Sequence, residues 1–246
     1  MSVLEQLRRS WAITKKDLSI FYLKGPVLIS GLLMPTFLFI AFVLGRNLTL
    51  SFLIPGLLGM ALFVTVSSIG PVIAPWETRM RTFERLCSAP IALWAIILGD
   101  IVASLLFGLF ITFFIILVSV ILLGVEILSF SLIVGTILAA FCFSSLGLLI
   151  SAPPTDNPSN IMMLSSLIKF PLIFISGVFV PIVKMGNWRV ISYISPLTYY
   201  TDLARYSVAG MNYFNPAIDL LVLFGFGIMF FVIAVKWHKK SISKRF

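Results

Sequence analysis

Histidine and cysteine are nearly missing from this sequence, and acid is scarce. One His, two Cys and nine Asp plus Glu occur in 246 residues. His238 alone excludes histidine-rich metal chemistry, and Cys87 and Cys142 lie too far apart in sequence to suggest a zinc site or a disulfide framework. Nine carboxyls, mostly in connecting segments, leave little material for general acid–base work. No Gly-x-x-x-x-Gly-Lys-Ser/Thr loop occurs, and there is no Gly-Lys pair, so a P-loop nucleotide site is excluded. No serine nucleophile elbow, His-Glu-x-x-His zinc motif or intramembrane acidic pair is visible either. Internal repeats, a low-complexity tail and a soluble domain are also lacking.

What is present is apolar. Hydrophobic residues make up 60% of the chain and charged ones 11%, with a mean hydropathy of +1.10. A soluble domain is nearer half apolar and a quarter charged. A core of this size cannot absorb the excess, so much of it must face lipid. The net charge of +9 sits beside apolar spans, not on one face of a soluble fold, and is no nucleic-acid signature. The first 24 residues carry Arg8, Arg9, Lys15, Lys16 and Lys24 without a continuous apolar core, so they do not read as a secretory signal.

Charges mark six spans, at about 25–45, 50–75, 95–123, 127–151, 160–183 and 216–235. Each is close to the roughly 17–25 residues that a helix needs to cross hydrocarbon. The expected fold is an all-α integral membrane domain over 25–246, preceded by an interfacial helix over 1–24. With both termini inside, thirteen Lys and Arg fall on inner segments; only Arg46, Lys184, Arg189 and Arg205 fall outside, and Lys169 is left within a span. That bias favours cytoplasmic termini.

Three segments carry candidate mechanism. In the first, Leu4, Leu7, Trp11, Leu18 and Tyr22 recur at helical spacing, flanked by Arg8, Arg9, Lys15 and Lys16. Such a helix suits the headgroup layer and anionic lipid. In the second, Trp76 to Trp94, Met80, Phe83 and Cys87 share one helical face, Glu77 and Arg81 form a favourable i,i+4 pair, and Pro90 ends the helix. It reads either as a knob for a groove on a partner or as a loop helix touching lipid heads. In the third, between Lys184 and Pro216, Ser195 is a good cap, Pro196 suits a first helical turn, and Asp202 and Arg205 can pair at i,i+3. Two short re-entrant helices or an amphipathic surface loop fit this stretch, since irregular backbone at membrane depth must be buried or line an aqueous cavity.

Two charges lie near apolar spans. Asp100 follows Gly99 at the expected inner start of the third span, where it meets solvent or substrate. Lys169 lies roughly 12–15 Å deep at 1.5 Å per residue. It either snorkels to the interface or faces the pathway and attracts an anionic group. Trp188, Tyr193, Tyr199, Tyr200, Tyr206 and Tyr213 gather near the outer boundary, as an interfacial belt does.

Arg81-Thr82-Phe83-Glu84-Arg85-Leu86-Cys87-Ser88-Ala89-Pro90 resembles the Gly-Thr-Leu-Glu-x-Leu segment, followed by Pro, of ABC-2 type permeases. Glu84, Leu86 and Pro90 match; Arg81 replaces Gly and Phe83 replaces Leu. Ser176-Gly177 through Pro181 and Trp188 resemble the family's Ser-Gly-x-x-x-Pro segment and the Trp after it, with Gly186 where a second Pro is common. Pro196-Leu197-Thr198-Tyr199 and Asp202-x-x-Arg205 match closely. The resemblance implies that Arg81, Phe83, Glu84, Arg85, Leu86 and Pro90 form a coupling helix on a separate ATPase subunit, which binds ATP and Mg. It implies an outer gate at Gly177, Pro181, Trp188, Pro196, Tyr199, Asp202 and Arg205. It also implies a second copy or a similar permease, and export across a prokaryotic plasma membrane. The chain itself is then no enzyme and carries no cofactor. An amphipathic drug, a lipid or a glycan is the expected cargo. The alternatives are an ATP-independent channel or carrier, which lacks its usual mid-membrane ionisable groups here, and a membrane enzyme, which lacks its polar cluster.

Overall fold

The computed structural model describes residues 2–23, six isolated positions between 31 and 41, residues 50–123 and residues 129–242. Apart from those isolated positions, the span expected at 25–45 lies outside the described residues. The elements are α1 (Val3–Asp17), a π turn (Leu18–Tyr22), α2 (Leu50–Arg79), α3 (Thr82–Ser88), α4 (Leu93–Leu123), α5 (Phe130–Ile150) and α6 (Pro158–Ile175). A 3-10 turn (Ile182–Trp188), α7 (Arg189–Ser192), α8 (Pro196–Ala209) and α9 (Pro216–Ser241) complete them. No strand occurs among the described residues. Five of the helices are long and apolar enough to cross a membrane: α2, α4, α5, α6 and α9.

Local chemistry sets several ends. Ser129, Asn157 and Asn215 cap α5, α6 and α9, accepting from Leu132 N (3.2 Å), Ser159 N (3.0 Å) and Ala217 N (3.0 Å). Pro158 and Pro216 occupy the first turns behind the last two caps, where a missing N–H costs nothing. Two ends differ from expectation. Helix α4 begins at Leu93, so Asp100 sits two turns inside it and is buried, not at a solvated start. Helix α6 stops at Ile175, because Ser176 and Gly177 (φ 81°) turn the chain away before 183.

In lipid, apolar surface gives helices little reason to associate; small residues and interhelical hydrogen bonds do more. Helix α2 packs on α4, α5, α6 and α8, while α9 lies along α5. Phe63 and Phe143 meet edge to face at 4.9 Å between α2 and α5, and Tyr200 of α8 joins Phe143 at 6.4 Å. Gly59 seats α8 against α2: a Cβ there would fall 2.4 Å from Thr201 Cγ2. Ser104 Oγ donates to Ser144 Oγ at 2.5 Å between α4 and α5. His238 Nε2 lies 3.1 Å from Ser151 Oγ and 3.0 Å from the Leu148 carbonyl, tying α9 to the end of α5.

Helix α1 is turned inside out relative to a soluble amphipathic helix. Leu4, Leu7 and Trp11 are exposed, whereas Gln6, Ser10, Ile13, Thr14 and Asp17 form its buried face. That face packs on α4. Thr14 Oγ1 donates to the Gly99 carbonyl at 3.0 Å, and Gln6 Oε1 accepts from Ala92 N at 2.8 Å. Tyr22, read from sequence with the exposed apolar stripe, is fully buried instead.

Candidate functional site

The segment between α2 and α4 is a short knob. Helix α2 continues to Arg79, Arg81 adopts left-handed backbone (φ 56°), and α3 runs for seven residues. Thr82 Oγ1 donates to the Glu77 carbonyl at 3.2 Å and closes the turn. Phe83 is 3% exposed and points into the protein, while Met80, Arg81, Glu84, Arg85, Ser88 and Pro90 are exposed and Leu86 and Cys87 are half-buried. Two expectations are corrected here. Phe83 is not an outward anchor beside Met80, because it is the residue that roots the knob. Glu77 does not pair with Arg81; it is buried at the end of α2 and bonds the Lys16 ammonium of α1. Burial alone would lower the Lys16 pKa, but Asp17, Asp100 and Glu77 around it raise it above its ordinary value.

At the opposite end, α8 is buried from Pro196 to Arg205 against α2, α5 and α9. Asp202 and Arg205 are brought close but do not form an ion pair. The Asp202 carboxylate accepts from Tyr213 N (2.9 Å) and Phe214 N (2.8 Å), fixing the loop into α9. Arg205 Nη2 donates to the Gly177 carbonyl at 2.5 Å, and its guanidinium lies 5.0 Å over the Phe52 ring. Burial lowers the Arg205 pKa to about 10, partly offset by Asp202. Burial likewise raises that of Asp202 against the two amides that lower it. Ser195 does not cap α8; its hydroxyl donates to the Leu172 carbonyl at 3.0 Å and holds α8 to α6. Tyr199 and Tyr200 are buried, Tyr200 bonding Thr136 Oγ1 at 3.1 Å, so they belong to the packing and not to a lipid-facing belt. Trp188 is exposed, and Pro181 starts the 3-10 turn. An open cleft of about 870 Å³ runs beside this region, lined by Ser129, Phe130, Tyr206, Asn212 and Tyr213 among others.

Lys169 does not snorkel. Its Nζ donates to Ser68 Oγ at 3.1 Å and approaches the Ser67 carbonyl at 3.4 Å. Pro71 lies in α2 four residues after Ser67 and has no N–H, so that carbonyl has no helical donor. The ammonium of α6 fills the gap.

The structure also gathers residues that sequence reading left in separate segments. Lys16, Asp17, Glu77 and Asp100 converge from three helices on the side of the knob. The recurrence of Gln6, Ser10, Thr14 and Asp17 at three- and four-residue spacing is the signal that marks α1's protein-facing side.

Among known families, the profile of the ABC-2 type transporter matches residues 7–209. No curated protein matches the chain.

Proposed function

The chain belongs to the ABC-2 type transporter family, and from that premise we propose that it is the membrane half of an ATP-driven exporter. It forms the pathway, and a separate ATPase subunit binds ATP and Mg and docks on the knob at Met80–Pro90. Two copies, or this chain and a similar permease, pack around a lateral cavity. Nucleotide-driven closure of the ATPases turns that cavity from inward to outward. Both termini and the knob lie in the cytoplasm of a prokaryote, and the Gly177–Arg205 region caps the pathway outside as a re-entrant hairpin. The cargo is an amphipathic drug, lipid or glycan.

The single observation behind this reading is the form of the knob. A seven-residue helix rooted by Phe83 between two long apolar helices leaves Met80, Arg81, Glu84 and Arg85 outward. An apolar tip with charges around it suits a partner groove, where apolar contact gives affinity and charge gives register.

The test is affinity capture of the tagged protein from native membranes in mild detergent, with ATP hydrolysis assayed in the eluate. Wild type is compared with a Glu84→Lys, Arg85→Glu variant, which alters exposed charge and spares Phe83. A P-loop ATPase retained by wild type and lost from the variant supports the reading. No ATPase with either protein favours a channel or carrier. An ATPase retained by both keeps the exporter and removes the docking surface.

A further inference from the structure

Four charged groups meet at the end of the bundle that carries the knob. Lys16 and Asp17 come from α1, Glu77 from the last turn of α2, and Asp100 from the second turn of α4. Lys16 Nζ lies 3.0 Å from Asp17 Oδ1 and bonds Glu77 Oε1. Asp17 is 0% exposed and Asp100 4%. Beyond the Lys16 ammonium beside Asp17 Oδ1, neither the Asp17 oxygens nor Asp100 Oδ1 has a hydrogen-bond donor. The two carboxyls are nevertheless within hydrogen-bond reach of each other. Two carboxylates have no donor between them, so that approach is attractive only when one carries a proton.

A second observation points at the same place. The Tyr22 hydroxyl is fully buried, makes no well-aligned hydrogen bond, and lies near Asp17, Asp100 and the Ser104 hydroxyl. The Ser104 hydroxyl near it is engaged with Ser144 Oγ and the Ile101 carbonyl. Among the described residues, the titratable groups around the pair are Lys16 on α1, Tyr22 on the π turn, Glu77 on α2 and the two aspartates themselves.

Charge counting gives the consequence. Among the described residues, three ionised carboxylates against one ammonium would leave two uncompensated negative charges, with Asp17 and Asp100 both buried. A buried ion is costly unless it is paired. Like carboxylates at one site do not both ionise readily. One retained proton removes one of the two excess charges and supplies the missing donor.

We propose that Asp17 and Asp100 form a proton-binding site, one proton shared between their carboxyls, and that this proton holds α1 on α4. Binding forms an O–H bond on one carboxyl and a hydrogen bond to the other. Release sends the proton to bulk water and leaves two carboxylates repelling across the α1–α4 contact. That contact includes Thr14 on Gly99 and Gln6 on Ala92, so the loss loosens the chain on the α4 side of the knob. The site stands whether or not an ATPase docks there.

The test is infrared spectroscopy of the full chain in lipid nanodiscs, titrated from neutral to alkaline pH. An Asp219→Asn background removes another fully buried carboxyl. The expected result is a protonated-carboxyl C=O band at neutral pH that shifts in heavy water and vanishes on alkaline titration. Asp100→Asn and Asp17→Asn should each abolish it. Tyr22→Phe, which removes only a hydroxyl and keeps the ring, should shift its frequency. No such band at neutral pH overturns the proposal. A band that survives both asparagine variants, or is unmoved by Tyr22→Phe, places the proton elsewhere and overturns it too. Should the asparagine variants fail to fold, the neutral-pH band and its response to Tyr22→Phe decide the matter.

Discussion

Arg205 Nη2 reaches from α8 to the carbonyl of Gly177, 2.5 Å away in the turn that ends α6. The turn depends on a residue with left-handed backbone, since Gly177 has φ 81°. Truncating the arginine strands a buried carbonyl and removes the cation over Phe52. Arg205→Ala should therefore destabilise by about 1–3 kcal/mol, the usual cost of an orphaned buried polar group. Thermal unfolding in detergent checks this; an unchanged midpoint would mean that water takes the arginine's place. Arg205→Lys should recover only part, because an ammonium cannot present the planar fork.

The seat of α8 on α2 is testable through Gly59. A methyl at that position meets Thr201 Cγ2, whose rotamer is held by hydrogen bonds to Ser176 O (3.3 Å) and Thr198 O (3.0 Å). Gly59→Ala should cost about 1–3 kcal/mol, as overpacking does. Thr201→Ser removes the clashing methyl and keeps the hydroxyl. The double variant should be more stable than the sum of the two effects, which a double-mutant cycle reads directly.

Lys169→Met takes the donor from the Ser67 carbonyl. The expected loss is about 1 kcal/mol, near the low end for an unsatisfied acceptor because the contact at 3.4 Å is long. Pro71→Ala gives α2 back an N–H for the same carbonyl. The lysine substitution should then be less costly in the Pro71→Ala background than in wild type. Equal costs in both backgrounds would show that the ammonium does not serve that carbonyl.

Phe83 and Arg85 should behave oppositely. Phe83→Ala empties a buried position and should cost about 3–5 kcal/mol. Arg85→Glu changes an exposed side chain and should stay within about 0.5 kcal/mol. Unfolding midpoints of the purified chain separate them. A neutral Phe83→Ala would refute its role as the root of the knob.

Five apolar spans were legible because lipid demands long uncharged runs, and charges such as Asp219 and Lys236 bracket them. Side-chain pairing was not. Sequence spacing offers Asp202 to Arg205 and Glu77 to Arg81 as partners, but Asp202, Arg205 and Glu77 reach instead for a group on another element or in a loop. Phe83 reads as an outward anchor because helical periodicity gives a face without saying which way it turns. Asp17 and Asp100, 83 positions apart, carry no local mark of their meeting. Lys169 was visible as an anomaly, but the reason for its place lies in Pro71, on a different helix.

The polar face of α1 also sets an order in time. Thr14 bonds the carbonyl of Gly99, 85 residues later in the chain. At roughly 5–20 residues per second of synthesis, the first helix waits about 4–17 s for its partner to be made. During that interval its polar stripe is left to water or to a helper. Completion of the fold is thus a late event, in which the oldest segment docks onto one made long after it.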